Sequence, residues 1–264
     1  MNRLDKELVE RNLVSTRAKA QELIKSANIK INGKVITKAS FDISPSDVIE
    51  IIDTTTLKYV SRAGLKLEKA INTFNLNIKD KNIMDIGSST GGFSDCSIQN
   101  GANKVIAVDV GTNLMHESLR NNPKVELYEQ TNIKDLPNEK FKDIDYITID
   151  VSFVSLSKII DKVVISNCNA DIIALIKPQF ECGKAIADKY KGVILNQKIH
   201  QDILTNTITM FANFGYTLLD LTFSPITGGD GNIEYISHFS KSATKPKNIN
   251  LKQLISSAFD THKK

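Results

Sequence analysis

Apolar residues recur at helical spacing near the start of the chain, at Leu4 and Leu8 and again at Ala18, Leu23 and Ile24, which predicts two short helices. Ser15 and Thr16 stand where a side chain can cap the second helix, and Asn28 where the chain can leave it in the left-handed conformation. The period then shortens to two. IKINGKVI alternates on both sides of Asn32-Gly33, the pair a two-residue hairpin turn favours, and the turn Ser44-Pro45-Ser46-Asp47 leads into a strand, VIEII, through Ile52. Residues 1–57 therefore read as a small α+β domain in the order helix, helix, hairpin, strand.

Past the polar stretch DTTTLK and a linker at 58–61, strands alternate with helices, the mark of an α/β domain built on a parallel sheet covered on both faces, here residues 62–264. SRAGLKLEKAINTF reads as a helix. NIMDIG, KVIAVDVG, VELYE, DYITIDV, DIIALIKP, TLLDLTFSP and IEYISHF read as seven strands. A long helix starts near Asn196 and stops at Gly215, the glycines Gly228, Gly229 and Gly231 precede the final strand, and an amphipathic helix at 249–260 closes the chain. ECGKAIADKYKG reads as a flexible loop able to close over a substrate. No internal repeat is present.

Composition narrows the class. With 264 residues, 41% hydrophobic and 24% charged, the chain is globular and long enough to bury a core. Three cysteines without a CxxC pair argue against a disulfide framework and a structural zinc site, and point to a reducing, cytoplasmic setting. His116, His200, His238 and His262 lack metal-ligand spacing and read as ordinary surface or helix residues. No apolar run approaches the roughly 18 residues of a spanning helix, and the N-terminus alternates charge too densely for a signal peptide. The net charge of +4 hides an asymmetry: residues 1–38 carry nine Lys/Arg against four Asp/Glu, residues 241–264 six against one, leaving an acidic middle. Basic ends on an acidic body fit a polyanionic partner. Arg3, Arg17, Lys19, Lys25, Lys30, Lys34 and Lys38 cluster on the N-terminal elements in a layout suited to phosphate contacts.

The strongest chemical signal is NIMDIGSSTGGFSD, an apolar strand ending in Asp85 and followed by Gly87, Gly91 and Gly92 ahead of a helix. It departs from the dinucleotide fingerprint GxGxxG, since Ser89 holds the middle position. A second strand ends in Asp109, 22 residues past Gly87, where a carboxylate can accept both hydroxyls of a ribose. The pair points to a nucleoside-bearing cofactor. Asp150 and Lys177 end two later strands, at the edge that faces the ligand crevice of such sheets. Taken singly, Lys66 reads as a solvated helix residue and Glu234 as an exposed strand residue. Cys182 follows Lys177 by five residues without a preceding Pro-Cys and reads as a small loop residue.

These motifs resemble known families at three levels. The first 55 residues, with RxxAxxLI at Arg17, Ala20, Leu23 and Ile24, resemble the αL RNA-binding motif of the ribosomal protein S-four type. The glycine loop with Asp109 resembles S-adenosylmethionine-dependent methyltransferases with a Rossmann-like seven-stranded sheet. That likeness implies the cofactor's amino-acid part near Asp85, Gly87, Ser89, Gly91 and Phe93, its ribose at Asp109 and its adenine near Asn132. The order Lys66, Asp150, Lys177, Glu234 resembles the catalytic set of FtsJ-class ribose 2′-O-methyltransferases. It implies that Lys177 steers and deprotonates a ribose hydroxyl, with burial and the Lys66 charge lowering its ordinary pKa of about 10.4. VSRAGLKL, DIGSSTGGF, DVSFVSL, IKPQFECGK and GNIEY in this order resemble the TlyA family. Membership implies 2′-O-methylation of cytidine in ribosomal RNA, with the large ribosomal subunit as partner and, for the longer form of the family that this chain resembles, the small one too. No metal or membrane partner is implied, and nothing in the sequence supports the pore formation that the family's hemolysin name evokes. The competing reading is a non-catalytic RNA-binding scaffold for ribosome assembly. Leu57-Lys58-Tyr59-Val60 replaces the Arg-x-Trp-Val linker of some members.

Overall fold

Leu4 and Leu8 turn inward from α1 (Leu4–Glu10) to meet Leu23 and Ile24 of α2 (Arg17–Lys25), as their helical spacing predicts, but the alanine that joins them is Ala20, since Ala18 is exposed. The computed structural model describes residues 2–14, 16–53, 58–166, 168–228, 230–243 and 245–263, in two units, Met1–Arg62 and Ala63–Lys264. The expectations placed on Ser15, Leu57 and Gly229 fall outside the described residues. Thr16 caps α2, its side chain accepting from Lys19 N at 3.3 Å. The left-handed exit falls on Ala27 (φ 59°), not on Asn28. Asn28 is already committed to the sheet, accepting from Ile52 N at 2.8 Å while donating to Leu23 O.

In the hairpin of β2 (Ile29–Ile31) and β3 (Lys34–Val35), Asn32 and Gly33 both take positive φ, as a type I′ turn requires. The central β2 pairs antiparallel with β3 on one side and with β5 (Ile49–Ile51) on the other. Two further strands, β1 (Asn2–Arg3) and β4 (Asp42–Ile43), pair antiparallel with each other. At two residues each, they are too short for any hydrophobic period to reveal.

The second unit opens with α3 (Ala63–Phe74), which packs on α4 (Gly92–Gln99). Its seven strands are β6 (Asn82–Ile86), β7 (Lys104–Val108), β8 (Val125–Tyr128), β9 (Tyr146–Ile149), β10 (Asp171–Ile176), β11 (Thr217–Phe223) and β12 (Tyr235–Ser240). They lie in the order β11-β12-β10-β9-β6-β7-β8. Between them run α5 (Glu117–Arg120), α6 (Ser157–Ile165), α7 (Pro178–Glu181), α8 (Lys184–Lys189) and α9 (Gln197–Asn213), and α10 (Leu251–Thr261) follows the last strand. Met84, Ile86, Ile147, Ile149 and Ile172 form one core with α6, α9 and α10. The alternate residues Ile83, Val105, Ala107, Ile173 and Leu175 are buried as well. Burial of both faces is why these strands read as continuous apolar runs.

Two expectations change. The sheet is mixed: β12 runs antiparallel to both neighbours, with Tyr235 opposite Ile176. Glu234 therefore sits just before the strand rather than within it, and antiparallel entry brings it to the edge where the parallel strands end. The segment expected as a flexible loop, 181–192, instead holds α8 and the last residue of α7, although α8 buries none of its residues.

Candidate active site

Strand order reverses between β6 and β9, which opens a crevice beyond their carboxyl ends. On the β6 side, the amides of Gly87 and Ser88 both donate to Val108 O, folding the glycine loop over β7. Gly87 takes φ +82°, and a Cβ placed there would meet Asp150 O at 2.7 Å, so only glycine lets this loop lie against the end of β9. The Asp109 carboxylate joins the two loops, accepting from Ser89 N at 2.8 Å and Gly111 N at 2.7 Å. A carboxylate has about four lone-pair positions, so two remain for ligand hydroxyls.

Behind this wall, Glu129 accepts from the amides of Asn113, Leu114 and Met115 and from the Arg120 guanidinium. Arg120 and the three amides, outweighing desolvation, hold its carboxyl at about 2. The loop it anchors brings Leu114 to the wall of a cavity of about 720 Å³, which also borders Gly87, Ser89, Asp109, Asn132 and Asp150. Val110, Leu114 and Phe153 are large apolar side chains left exposed, and all three line it. A carboxylate with spare acceptor capacity, open apolar walls and room in the usual range for a small ligand fit a purine nucleoside.

Asp85, Gly91 and Phe93 do not border this cavity. Asp85 is buried, and its carboxylate accepts from Ser94 Oγ at 2.6 Å and Thr148 Oγ1 at 3.0 Å. Burial pushes its carboxyl up to about 6 against the pull of those hydroxyls. Gly91 is the N-cap of α4, and a Cβ on it would strike Met115 Sδ at 2.5 Å. Phe93 is buried in α4. These three support the loop from within the fold.

The four charged residues expected at the reacting centre come together. Lys66 Nζ lies 2.6 Å from Glu234 Oε2 and 3.6 Å from Asp150 Oδ2, and Lys177 Nζ lies 2.5 Å from Asp150 Oδ1. Lys66 and Glu234 are buried, as membership of the set requires and contrary to what either suggests taken singly. Burial raises the Asp150 carboxyl, but the Lys66 and Lys177 charges together outweigh it and leave the group below its ordinary value. The sequence reading has the Lys66 charge acting on Lys177; the structure interposes Asp150 between them, so each lysine meets a carboxylate first. Gly228 gives Glu234 room, since a Cβ there would meet Glu234 Oε1 at 2.7 Å.

Two neighbours escaped the sequence reading. Ser152 Oγ accepts from Lys177 Nζ at 3.3 Å, and Phe153, 91% exposed at φ +63°, stands beside Phe180 with ring centroids 5.0 Å apart. A bulky residue held at positive φ costs roughly 1–3 kcal/mol and marks a constrained site. The only sequence signal was their place in DVSFVSL. Cys182 is half-buried, and burial pushes its thiol up, away from nucleophile behaviour. His200 is a helix residue, in α9, but a buried one, and His238 is buried in β12 rather than on the surface or in a helix. His200 bonds Tyr235 Oη and Ile194 O within the core, and His238 pairs with Asp171 at 2.9 Å. Among the described residues no cluster of three metal-ligating side chains occurs, and no helix is long and apolar enough to cross a membrane.

In the first unit, Arg3 and Arg17 converge on Asp5, whose side chain is wholly buried, at 3.0 and 2.8 Å, and Gln21 Nε2 donates to the same carboxylate. The Arg3 and Arg17 contacts hold the Asp5 carboxyl well below the usual carboxylate range. Lys30 reaches Glu50 at 4.0 Å, Lys19 is half-buried, and Lys25, Lys34 and Lys38 are exposed.

Residues 59–241 match the FtsJ-like methyltransferase family and residues 2–49 the S4 domain. Over 88% of this chain and 97% of the relative, it is 37% identical to the 23S rRNA (cytidine-2′-O)-methyltransferase TlyA of Campylobacter jejuni. It is 32% identical to the 16S/23S rRNA (cytidine-2′-O)-methyltransferase TlyA of Mycobacterium tuberculosis, covering 88% of this chain and 87% of that one. A solved structure from Streptococcus thermophilus, which carries a provisional hemolysin name, superposes with a TM-score of 0.77 at 33% identity, covering 99% and 97% of the two chains.

Proposed function

The chain belongs to the FtsJ-like methyltransferase family, joined to an S4 domain, and from that premise we propose that it methylates the ribose 2′-oxygen of cytidine in ribosomal RNA. The methyl donor in this reading is S-adenosylmethionine, and the substrates are ribosomal subunits in the cytoplasm, the large subunit and also the small one. Residues 1–57 serve as the RNA-docking domain, 58–61 as linker and 62–264 as the transferase. One observation carries the reading: Lys66, Asp150, Lys177 and Glu234 form a charge-neutral set whose Asp150 is also a wall of the nucleoside-sized cavity.

Bound in that cavity, S-adenosylmethionine supplies a methyl group already activated by a sulfonium. What remains for the protein is to aim a poor nucleophile and manage its charge. Asp109 and Asn132 receive the nucleoside, and Gly87 and Ser89 line its approach. Lys177 donates to the 2′-oxygen and offsets the charge developing there, while its counter-ion Asp150 fixes its direction and the proton leaves the oxygen for solvent. Lys66 steadies the other Asp150 oxygen and is itself held by Glu234. Phe153 offers an exposed face on which an unstacked base can lie. Arg3, Arg17, Lys19, Lys25, Lys30 and Lys38 hold RNA phosphates.

The test is methyl transfer from labelled S-adenosylmethionine to unmodified small and large subunits. The expected product resists alkaline cleavage at one phosphodiester and is absent with Asp109→Ala. Retained subunit binding without incorporation would sink the enzyme reading in favour of the assembly scaffold.

A further inference from the structure

Glu181 ends α7, four residues past Lys177, in the IKPQFECGK block that the proposed mechanism leaves unused. Its two carboxylate oxygens reach across to the turn after β9: Oε1 accepts from Leu156 N at 2.9 Å and Oε2 from Ser155 Oγ at 2.7 Å. The carboxyl is largely desolvated, and burial pushes its pKa up against these two bonds. Among the described residues it has no ion-pair partner. A half-buried acid spending both oxygens on one neighbouring turn is a cross-link between two loops.

Those loops are the ones that matter. The turn after β9 begins at Asp150 and carries Ser152, bonded to Lys177, and Phe153, whose positive φ persists only if its surroundings hold it. The segment after β10 begins at Lys177, whose carbonyl accepts from Glu181 N at 3.2 Å. Parallel pairing of β9 and β10 runs only as far as Ile149 and Ala174, so beyond the strands it does not fix the turns against each other.

We propose that Glu181 is a positioning residue for methyl transfer, fastening the turn that carries Ser152 and Phe153 to the segment that begins at Lys177. The proposal rests on the ribose-methylation reading of the same site. It is tested with labelled S-adenosylmethionine and ribosomal subunits, comparing the parent with Glu181→Ala, Ser155→Ala, their double variant and Glu181→Gln. Misplacement of about 1 Å can cost up to about 100-fold, so Glu181→Ala is expected to lower kcat at least about 10-fold with KM for the cofactor within about twofold. Glu181→Gln can still accept from Leu156 N and donate to Ser155 Oγ, and recovers most of the rate. The double variant is no slower than Glu181→Ala alone, and hydrogen exchange at the Leu156 amide quickens in Glu181→Ala. Unchanged kcat, additive losses, or a fall in cofactor affinity and melting temperature that Gln does not rescue would overturn it. If the parent itself transfers no methyl, the methylation reading fails, and unchanged Leu156 exchange then overturns the cross-link on its own.

Discussion

Two buried carboxylates each grip two cations, one in each unit, and they are built in opposite senses. Asp5 has no exposed side-chain surface, whereas its partners Arg3 and Arg17 stand 44% and 50% exposed. Asp150 is 14% exposed, but Lys66 and Lys177 are sunk to 9% and 8%, and Glu234 supplies a second negative charge. The first cluster sums to +1 with its cations outermost, which leaves positive charge toward solvent, as the proposed RNA docking requires, without leaving the buried acid unpaired. The second sums to zero, which suits a neutral hydroxyl and gives a phosphate no advantage. Asp85 completes the comparison: buried with hydroxyl and backbone-amide partners but no cation beside it, its carboxyl rises to about 6, whereas both cation-bound acids fall below their ordinary values.

The contrast predicts which property fails in each cluster. The largest effect is Lys177→Ala, expected to lower kcat roughly 1,000-fold, within the range for removing one group that stabilises developing charge, with cofactor and subunit affinity little changed. Single-turnover assays decide it, and a surviving rate within tenfold would remove Lys177 from the chemistry. Next, Asp150→Asn strands a buried Lys177 ammonium and should cost about 3–5 kcal/mol, read from denaturant melts of the whole chain. An unshifted midpoint would mean the tetrad is not the closed set described.

Asp85 gives a pH signature of the opposite sign to a salt-bridged acid. Its pKa is about 3.9 unfolded and about 6 folded, so the folded state holds more protons between these values and its contribution to stability falls as pH rises from about 4 to 6. Relative to the parent, Asp85→Asn should be stabilised by roughly 2–3 kcal/mol more at pH 7.5 than at pH 4. Parallel pH–stability curves would contradict the shift. The smallest effect is Arg17→Ala, expected to weaken subunit binding with a salt slope shallower by about one, while kcat at saturating subunit is kept. If kcat falls instead, the outward-facing cluster is not simply a docking device.

Much of this was legible from residues alone. All seven strands of the large sheet and the helices α3, α4, α9 and α10 follow from apolar runs and their punctuation, whereas α5, α6, α7 and α8 were not read as helices; the tetrad follows from strand-end positions together with a family order. What stayed hidden was set by tertiary geometry. The direction of β12 is invisible in IEYISHF, since an antiparallel strand buried on both faces reads like a parallel one, yet that direction decides where Glu234 lies. Lys66 gave no sign of burial because its partners are 84 and 168 residues away. Asp85 and Phe93 carry the motif without bordering the cavity. Glu181 and Glu129 act through backbone amides that no side-chain pattern announces.

Gly87 places a constraint on descent as well as on shape. With Asp150 O only 2.7 Å from where its Cβ would be, any side chain acquired at 87 pushes on the residue that the proposed chemistry depends on while it distorts the glycine loop. A substitution at this position would therefore act on both at once. A duplicated copy released from catalysis would be free to fill the position, and a bulky residue at 87 in such a copy would be an early mark of a retired enzyme.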